Sequence, residues 1–229
     1  MTELPIQADQ TCQGILWDLD GVLVDTSEYH YRSWQEVLDD FGIPFDRKIF
    51  QRALGMNNAG TIELLLGYKP EADLINLIAE RKEARFRQLM QGNITPLPGV
   101  LDWLQRWHSQ KIPMAVASSA SPENIDFIID ALEIRSYFEY LVSGSDIPGK
   151  PDPAVFLTAA QNLGLAPARC LVIEDSVAGI EAARRAEMRC IAVATTYPAE
   201  MLSRANLVVS NLAQLSGAAF LRLYAQSTQ

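Results

Sequence analysis

The chain has 229 residues, of which 48% are hydrophobic and 21% are charged, and its formal net charge at pH 7 is −9. This length can bury one large core or two smaller ones, and the composition is that of a globular protein rather than a disordered or fibrous one. The negative charge argues against a nucleic-acid partner, and no apolar run in the sequence is long enough to predict a membrane span.

The cysteine content indicates the redox environment. Cys12, Cys170 and Cys190 give an odd count without a Cys-x-x-Cys pair, which argues against a disulfide framework or a zinc site and favours buried, reduced thiols. The N-terminal residues lack the basic and then apolar segments that are typical of a secretion signal. We therefore predict a cytoplasmic protein with no membrane or nucleic-acid partner. We also expect a monomer, with a dimer as the alternative.

Residues 15–26 carry the strongest signal for function. Their apolar start, residues 15–17, predicts a strand that is buried on both faces, and Asp18 and Asp20 follow it closely. Side chains two apart in an extended chain point the same way, roughly 6–7 Å apart, so the two carboxylates repel unless a cation or a proton intervenes. A surface turn is the alternative, but it leaves the next apolar run, residues 22–24, unexplained. The pattern favours a metal-dependent catalytic site.

Residues 25–91 show helical periodicity and no strand signal. We predict helices over residues 26–41, from Pro44, around residues 62–66 and from Pro70, the last directing Leu77 and Ile78 toward a core. The charged residues near the end of this block alternate in sign, which is typical of a solvated helix face; they are Glu80, Arg81, Lys82, Glu83, Arg85 and Arg87.

From residue 100 onward, helical and strand patterns alternate. Alternation of this kind implies a parallel sheet that is covered by helices on both faces, and the strand before Asp18 belongs to the same sheet. The predicted fold class is α/β, with a Rossmann-like parallel sheet core formed by residues 1–24 and 97–229 and an all-helical block, residues 25–96, inserted between the first two strands. The later strands are predicted at residues 112–117, 140–143, 170–173, 190–194 and 207–209, and the closing helix at residues 212–224.

Polar side chains follow each central strand of the predicted sheet. Ser118 and Ser119 follow the second strand, Lys150 lies in the loop after the third, and Glu174 and Asp175 follow the fourth. Because the carboxyl ends of parallel strands share one edge of a sheet, we expect these groups to gather around the first strand's two acids. Such a set suits phosphoryl transfer, which needs oxygen ligands for a hard cation and donors for phosphate. Taken singly, each has an ordinary alternative: a capping serine, a solvated lysine, or acids in the first turn of a helix.

Four of these segments also follow one another in a familiar order: Asp-Leu-Asp-Gly at residues 18–21, Ala-Ser-Ser at 117–119, Gly-Lys-Pro-Asp-Pro at 149–153 and Val-Ile-Glu-Asp-Ser at 172–176. Together they resemble the four motifs of the haloacid dehalogenase superfamily of phosphohydrolases. The run Ser-Glu-Tyr-His-Tyr-Arg-Ser-Trp at residues 27–34 is similar to the β-phosphoglucomutase-like branch of that superfamily. The helical block resembles the family's cap domain.

The resemblance implies a role for each matched residue. Asp18 is the expected nucleophile, Asp20 the general acid and base, Ser118 a donor to a phosphoryl oxygen, and Lys150 a cation that neutralises developing charge. Mg²⁺ is the expected cofactor, and its expected ligands are Asp18, the backbone carbonyl of Asp20, Glu174 and Asp175. For His30, packing at the domain junction is the alternative to a role in the site. A small phosphorylated metabolite is the expected partner, bound by Gly21, Thr26, His30, Gly55, Asn58 and Ser119.

Three positions depart from the mutase pattern. Where those mutases carry a lysine, an arginine and an asparagine, this chain has Leu54, Asn58 and Pro122. The resemblance assigns those positions to the distal phosphate of a bisphosphate, so their loss favours a phosphatase. We predict Mg²⁺-dependent hydrolysis of a sugar phosphate through an aspartyl-phosphate intermediate. A β-phosphoglucomutase-type mutase is the alternative, and a non-catalytic scaffold is less favoured because the acids and the lysine are intact.

Overall fold

The central sheet has six parallel strands in the order β3-β2-β1-β4-β5-β6. The computed structural model describes residues 12–53 and 56–225. The predicted α/β class with a parallel sheet is confirmed. The strands are β1 (Gly14–Trp17), β2 (Met114–Ser118), β3 (Tyr140–Ser143), β4 (Cys170–Glu174), β5 (Arg189–Val193) and β6 (Leu207–Val209).

The predicted helical insertion lies between β1 and β2. Its helices are α1 (Ser27–Asp40), α2 (Arg47–Ala53), α3 (Asn58–Leu66) and α4 (Ala72–Met90). The helices that cover the sheet are α5 (Val100–Ser109), α6 (Pro122–Ala131), α7 (Ala154–Asn162), α8 (Val177–Arg185) and α9 (Gly217–Ala225). In the part of the chain that the structure describes, no helix is both long and apolar enough to cross a bilayer.

Apolar side chains cover both faces of the sheet. Successive side chains of a strand point to opposite faces, so Ile15 and Trp17 pack into one hydrophobic cluster with residues of α5 and α6. Leu16 packs into a second cluster with residues of α7 and α8. Because β1 is buried on both faces, its residues 15–17 have no exposed surface. This burial on both faces explains the unbroken apolar run that precedes Asp18.

The inserted helices have a hydrophobic core of their own. Trp34 and Leu38 of α1, Phe50 of α2, Ile62 of α3 and Ile78 of α4 form a cluster that is separate from the two clusters on the sheet. A separate core is what an independently packed cap requires. The domain boundaries at residues 24/25 and 96/97 stay a prediction.

Two helices begin later than predicted because a polar side chain caps each of them. The second helix begins at Arg47 rather than Pro44, since the carboxylate of Asp46 accepts a hydrogen bond from Ile49 N at 2.8 Å and caps this end. The closing helix is shorter than predicted, because Ser216 accepts from Ala219 N at 3.1 Å just before α9 begins. Leu77 was predicted to face a core and is 41% exposed.

Candidate active site

The candidate site lies at the topological switch point of the sheet, where the strand order changes direction at β1. β1 has β2 on one side and β4 on the other, so the loops after these strands diverge and leave a crevice at their carboxyl ends. Asp18 follows β1, Ser118 ends β2 and Glu174 ends β4. The fold thus brings together Asp18 and Glu174, which are far apart in the sequence.

Three buried carboxylates meet at the base of this crevice. One oxygen each of Asp18, Glu174 and Asp175 lies within 4.8 Å of the others. Lys150 reaches into the cluster from the loop after β3, and its Nζ donates to Asp18 Oδ1 and to Glu174 Oε1, at 2.7 Å in both cases. The structure therefore places the predicted lysine against two of the predicted acids.

Burial and mutual repulsion perturb the pKa values of these acids. Burial raises the pKa of Asp18; Lys150 opposes this effect, while the charges of Glu174 and Asp20 add to it, and the net shift is upward. The pKa of Asp175 is also raised, by burial first and then by the charges of Glu174 and Asp18. Burial alone would lower the pKa of Lys150, but the two carboxylates that it contacts raise it above its ordinary value. The cluster therefore has more negative charge than one ammonium neutralises.

Glu174 is held on its other side by the start of α8. Its Oε2 accepts hydrogen bonds from the backbone N–H groups of Asp175, at 2.7 Å, and Ser176, at 2.6 Å. A carboxylate is favoured at the N-terminus of a helix, where backbone N–H groups lack intrahelical partners. Gly179 lies directly beneath this carboxylate, and a Cβ at that position would overlap it. Ser121 and Ser176 cap α6 and α8, because each accepts a hydrogen bond from a backbone N–H three residues on.

We expect Gly179→Ala to lower turnover by at least about ten-fold and the free energy of unfolding by about 1–3 kcal/mol, because the pinned Glu174 carboxylate has to move. Steady-state kinetics and urea unfolding measure the two effects. Gly149→Ala is the matched control, since nothing lies within 4 Å of its added Cβ. Equal behaviour of the two variants would contradict the close fit of Glu174 on α8.

Asp20 faces the inserted helices rather than the acid cluster. Its Oδ1 lies 3.4 Å from His30 Nε2, and a third of its side chain is exposed, 32%. Burial acts to raise the pKa of the Asp20 carboxyl, but hydrogen bonding and charge from His30, the hydroxyl of Thr26 and the charge of Lys82 hold that pKa below its ordinary value. His30 itself stacks on Phe86, with ring centroids 4.1 Å apart. His30 thus has a packing role and a contact with the site at the same time.

The prediction that residues 80–87 form a solvated helix face is wrong for Lys82, which is buried. This lysine is only 3% exposed, and its Nζ lies 2.9 Å from His30 Nδ1 and 2.8 Å from Glu83 Oε1. The signal for its burial was present in the sequence, because Lys82 has helical spacing with Ile78, Phe86 and Met90, which are all buried. A cation in an apolar stripe indicates a buried partner, and Lys82 has two, the His30 ring and the Glu83 carboxylate.

One cavity of about 410 Å³ connects these groups. Gly21 has a φ of +74°, and a Cβ there would overlap the carboxylate of Asp175, so the glycine permits the close approach of two loops. Gly55 lies outside the described residues. The other predicted site residues all line the cavity: Asp18, Asp20, Gly21, Thr26, His30, Asn58, Ser118, Ser119, Lys150, Glu174 and Asp175.

The cavity also contains residues that the sequence analysis missed. Glu83 of α4 and Asn124 of α6 line it, and Asn124 Nδ2 donates to Glu83 Oε2 at 2.5 Å. Thr196, in the loop after β5, lies near Asp175 and is hydrogen-bonded to it. No local pattern singles out these residues, because each lies in an ordinary helix or loop segment and acts only through a distant partner.

Comparison with known proteins identifies the family of the chain. The family model described as haloacid dehalogenase-like hydrolase matches residues 12–187. Beta-phosphoglucomutase of Bacillus subtilis (strain 168) is 35% identical over 214 residues, covering 89% of this chain and 92% of that protein. The fructose-1-phosphate phosphatase YqaB of Escherichia coli (strain K12) is 32% identical over 184 residues, covering 79% and 95% of the two chains.

A solved structure gives the same result for the fold. The crystal structure of beta-phosphoglucomutase from Clostridium difficile matches with a TM-score of 0.84 at 28% identity, covering 94% of this chain and 98% of that chain. The family that the four sequence motifs predicted is confirmed, since its model matches well over half of the residues. The chain belongs to the haloacid dehalogenase-like hydrolase family and is an enzyme.

Proposed function

We propose that this enzyme is a Mg²⁺-dependent phosphatase that hydrolyses a small sugar phosphate through a phosphorylated Asp18. The observation that carries the proposal is the contact of a buried Asp18 with Lys150, inside an acid cluster at the base of the cavity. A carboxylate that is buried, oriented by an ammonium and open to a small cavity is suited to nucleophilic attack.

The residues present fit a magnesium ion. Asp18, Glu174 and Asp175 offer only carboxylate oxygens, which are the ligands that Mg²⁺ prefers, and with Lys150 they carry a net charge of −2 when all are ionised (3 × −1 + 1). Burial raises the pKa values of Asp18 and Asp175 most, and the negative charge of the neighbouring carboxylates raises them further. When bound, the ion neutralises this charge and that of the phosphoryl oxygens, so that the nucleophile can approach a phosphate dianion.

The chain's own residues then divide the reaction into two steps. Lys150 binds Asp18 Oδ1, which leaves Oδ2 to attack phosphorus as the bond to the leaving oxygen breaks. Asp20 donates a proton to the departing alkoxide and later removes one from the water that cleaves the aspartyl phosphate. The Ser118 hydroxyl accepts from Ala120 N at 3.1 Å, so its proton is available to a phosphoryl oxygen.

The contact between Asp20 and His30 supports the acid–base assignment. In the absence of substrate, His30 and Lys82 favour the ionised form of Asp20, which is the form needed to accept a proton from water. A phosphate dianion next to Asp20 acts in the opposite direction and favours the protonated form, which is the form needed to donate to the leaving group. Asp20 is therefore positioned for both roles in turn.

The size of the cavity and the relatives support a small sugar phosphate as substrate. A volume of about 410 Å³ suits a small metabolite. The relatives named above include a fructose-1-phosphate phosphatase and a beta-phosphoglucomutase. Asn58, which stands where those mutases carry an arginine, donates its amide to Glu83 at 2.8 Å. We therefore favour hydrolysis, and the mutase remains the second candidate because of its high similarity to the chain.

The direct test is an assay of the purified protein on a panel of sugar phosphates, with Mg²⁺ or with excess EDTA. Free phosphate and isomerised sugar phosphate are measured separately. Phosphate release that requires Mg²⁺ supports the phosphatase, whereas isomerisation primed by a bisphosphate supports the mutase. Release that persists in EDTA contradicts the metal assignment, and the absence of both activities favours a non-catalytic scaffold.

Mg²⁺ is expected to stabilise the folded chain independently of turnover. At about 100 times its dissociation constant, the ion should raise the free energy of unfolding by about 2.7 kcal/mol, because it binds the acid cluster only in the native state. Thermal unfolding with and without Mg²⁺ measures this shift. We expect Asp175→Asn to lose most of the shift and Asp40→Asn, an exposed change at the end of α1, to keep it. An equal shift in both variants would place the ion elsewhere.

A further inference from the structure

The carboxylate of Glu83 lies where the inserted helices meet the sheet domain, and it lines the same cavity as Asp18. Its side chain is 15% exposed. Oε1 accepts hydrogen bonds from Lys82 Nζ and from Asn58 Nδ2, both at 2.8 Å, and Oε2 accepts from Asn124 Nδ2 at 2.5 Å. Groups from α3, α4 and α6 therefore hold one acidic side chain in a fixed orientation.

Glu83 contributes negative charge to this end of the cavity. Burial acts to raise its pKa, but the charges of Lys82 and His30 and the hydrogen bonds from Lys82 and Asn58 outweigh that effect, so the pKa lies below its ordinary value. Lys82 is the nearest cation, and it contacts the His30 ring as well as Glu83. Arg87 donates to Asn124 Oδ1 at 2.6 Å and is not part of the cavity lining.

Lys82 also lines this end of the cavity, but its ammonium is already bonded to Glu83 and to the His30 ring. Apolar side chains of the inserted helices also line this end, namely Trp34, Phe50, Ile75 and Ala79. The other polar groups that contact Glu83 are the amides of Asn58 and Asn124, which carry no charge. A leaving group that extends from Asp18 toward the inserted helices thus meets the Glu83 carboxylate with its Lys82 partner, two amides and an apolar wall.

We propose that Glu83 is a specificity-determining residue, which excludes a second phosphate group from the cavity and selects monophosphates whose distal end is neutral and hydroxylated. This inference rests on the proposed phosphatase function. A distal phosphate would lie beside the Glu83 carboxylate in a partly buried site, where repulsion is poorly screened, and it would compete with Glu83 for the Lys82 ammonium. A sugar hydroxyl can instead donate to the second lone pair of Glu83 Oε2, because a carboxylate oxygen accepts more than one hydrogen bond.

The test compares matched substrates in the holoenzyme with Mg²⁺. Fructose 1-phosphate is paired with fructose 1,6-bisphosphate, and glucose 6-phosphate with glucose 1,6-bisphosphate. We expect the wild type to prefer the monophosphate of the pair that it hydrolyses. Glu83→Gln should reduce the ratio of the two kcat/KM values by at least about ten-fold, mainly through a lower KM for the bisphosphate, because it removes the charge and keeps the shape. Glu83→Asp should keep the preference, because it keeps the charge.

Glu80→Gln on the exposed side of α4 is the matched control, and its ratio should equal that of the wild type. A purely structural role of Glu83 would lower kcat/KM for both members of a pair equally and leave the ratio unchanged, and this result would overturn the proposal. If Glu83→Gln does not fold, a wild-type KM for the bisphosphate equal to or below that for the monophosphate overturns it as well. No phosphate release from any substrate refutes the phosphatase function itself, and the selectivity inference with it.

Discussion

Asp18→Asn is expected to lower turnover by about 10⁴-fold or more, because the amide cannot form the phosphorylated intermediate. The fold should persist, since an amide of nearly the same shape replaces a residue that is 6% exposed. Turnover is measured with Mg²⁺, and the wild-type intermediate is sought by mass spectrometry after rapid quenching with acid. The variant should lack the phosphorylated species that the wild type forms.

We also predict the effect of Asp18→Asn on the free energy of unfolding. Burial and the neighbouring carboxylates raise the pKa of Asp18, so its ionised form is disfavoured in the native chain without metal. In EDTA, the free energy of unfolding of Asp18→Asn should therefore equal or exceed that of the wild type, because Lys150 retains its contact with Glu174. Near-normal turnover would rule out Asp18 as the nucleophile. A large loss of stability would show that the lysine contact outweighs the repulsion.

Lys150→Met is expected to lower both turnover and stability. Among the described residues, Lys150 is the cation that hydrogen-bonds to Asp18 and Glu174, and removing it leaves buried carboxylates without a countercharge. Breaking one side of a buried ion pair in this way costs about 3–5 kcal/mol. Lys69→Met is the matched control, because Lys69 is exposed and the chemical change is identical. Urea unfolding in EDTA measures both variants.

The loss of stability in Lys150→Met should increase as the pH rises. Acids whose pKa is raised in the folded chain contribute stability at low pH, and that stability is lost as the pH rises through the folded pKa. The pKa values of Asp18 and Asp175 are raised already in the presence of Lys150, so the deficit should be largest above neutral pH and shrink as the acids are protonated. Added Mg²⁺ should restore part of it. A deficit that does not vary with pH would indicate lost packing, since the Lys150 ammonium also lies 4.8 Å from the ring of Phe156.

The fold class and the grouping of the predicted polar residues at one edge of the sheet were predictable because they depend on local signals. The apolar residues 15–17 indicate a strand that is buried on both faces, and all of them are buried in the sheet. Ser118 is the last residue of β2 and Glu174 the last residue of β4, and these two strands flank β1. Because parallel strands end at one edge of a sheet, their proximity could be predicted without knowing how the side chains pack. The helical block between the first two strands was visible as a change from an unbroken apolar run to helical periodicity.

Helix ends were less predictable where a capping side chain competes with a proline. Pro44 can start a helix, but Asp46 supplies the acceptor that the first turn of α2 needs, and the helix begins after it. The error at Leu77 has a different origin. Helical spacing identifies an apolar face, but the width of the face that is buried depends on how closely the neighbouring helices pack.

The sequence by itself determined the elements, their order and the acids at the carboxyl edge of the sheet, because chain periodicity and turn chemistry act over a few residues. Only the tertiary structure decided that Glu83 meets Asn58 and Asn124, and that Gly179 lies beneath Glu174. These contacts join segments that are far apart or belong to separately packed elements. The contact of Glu83 with Asn124 depends on how α4 crosses α6, and burial of a helix face specifies that crossing only once the partner surface exists.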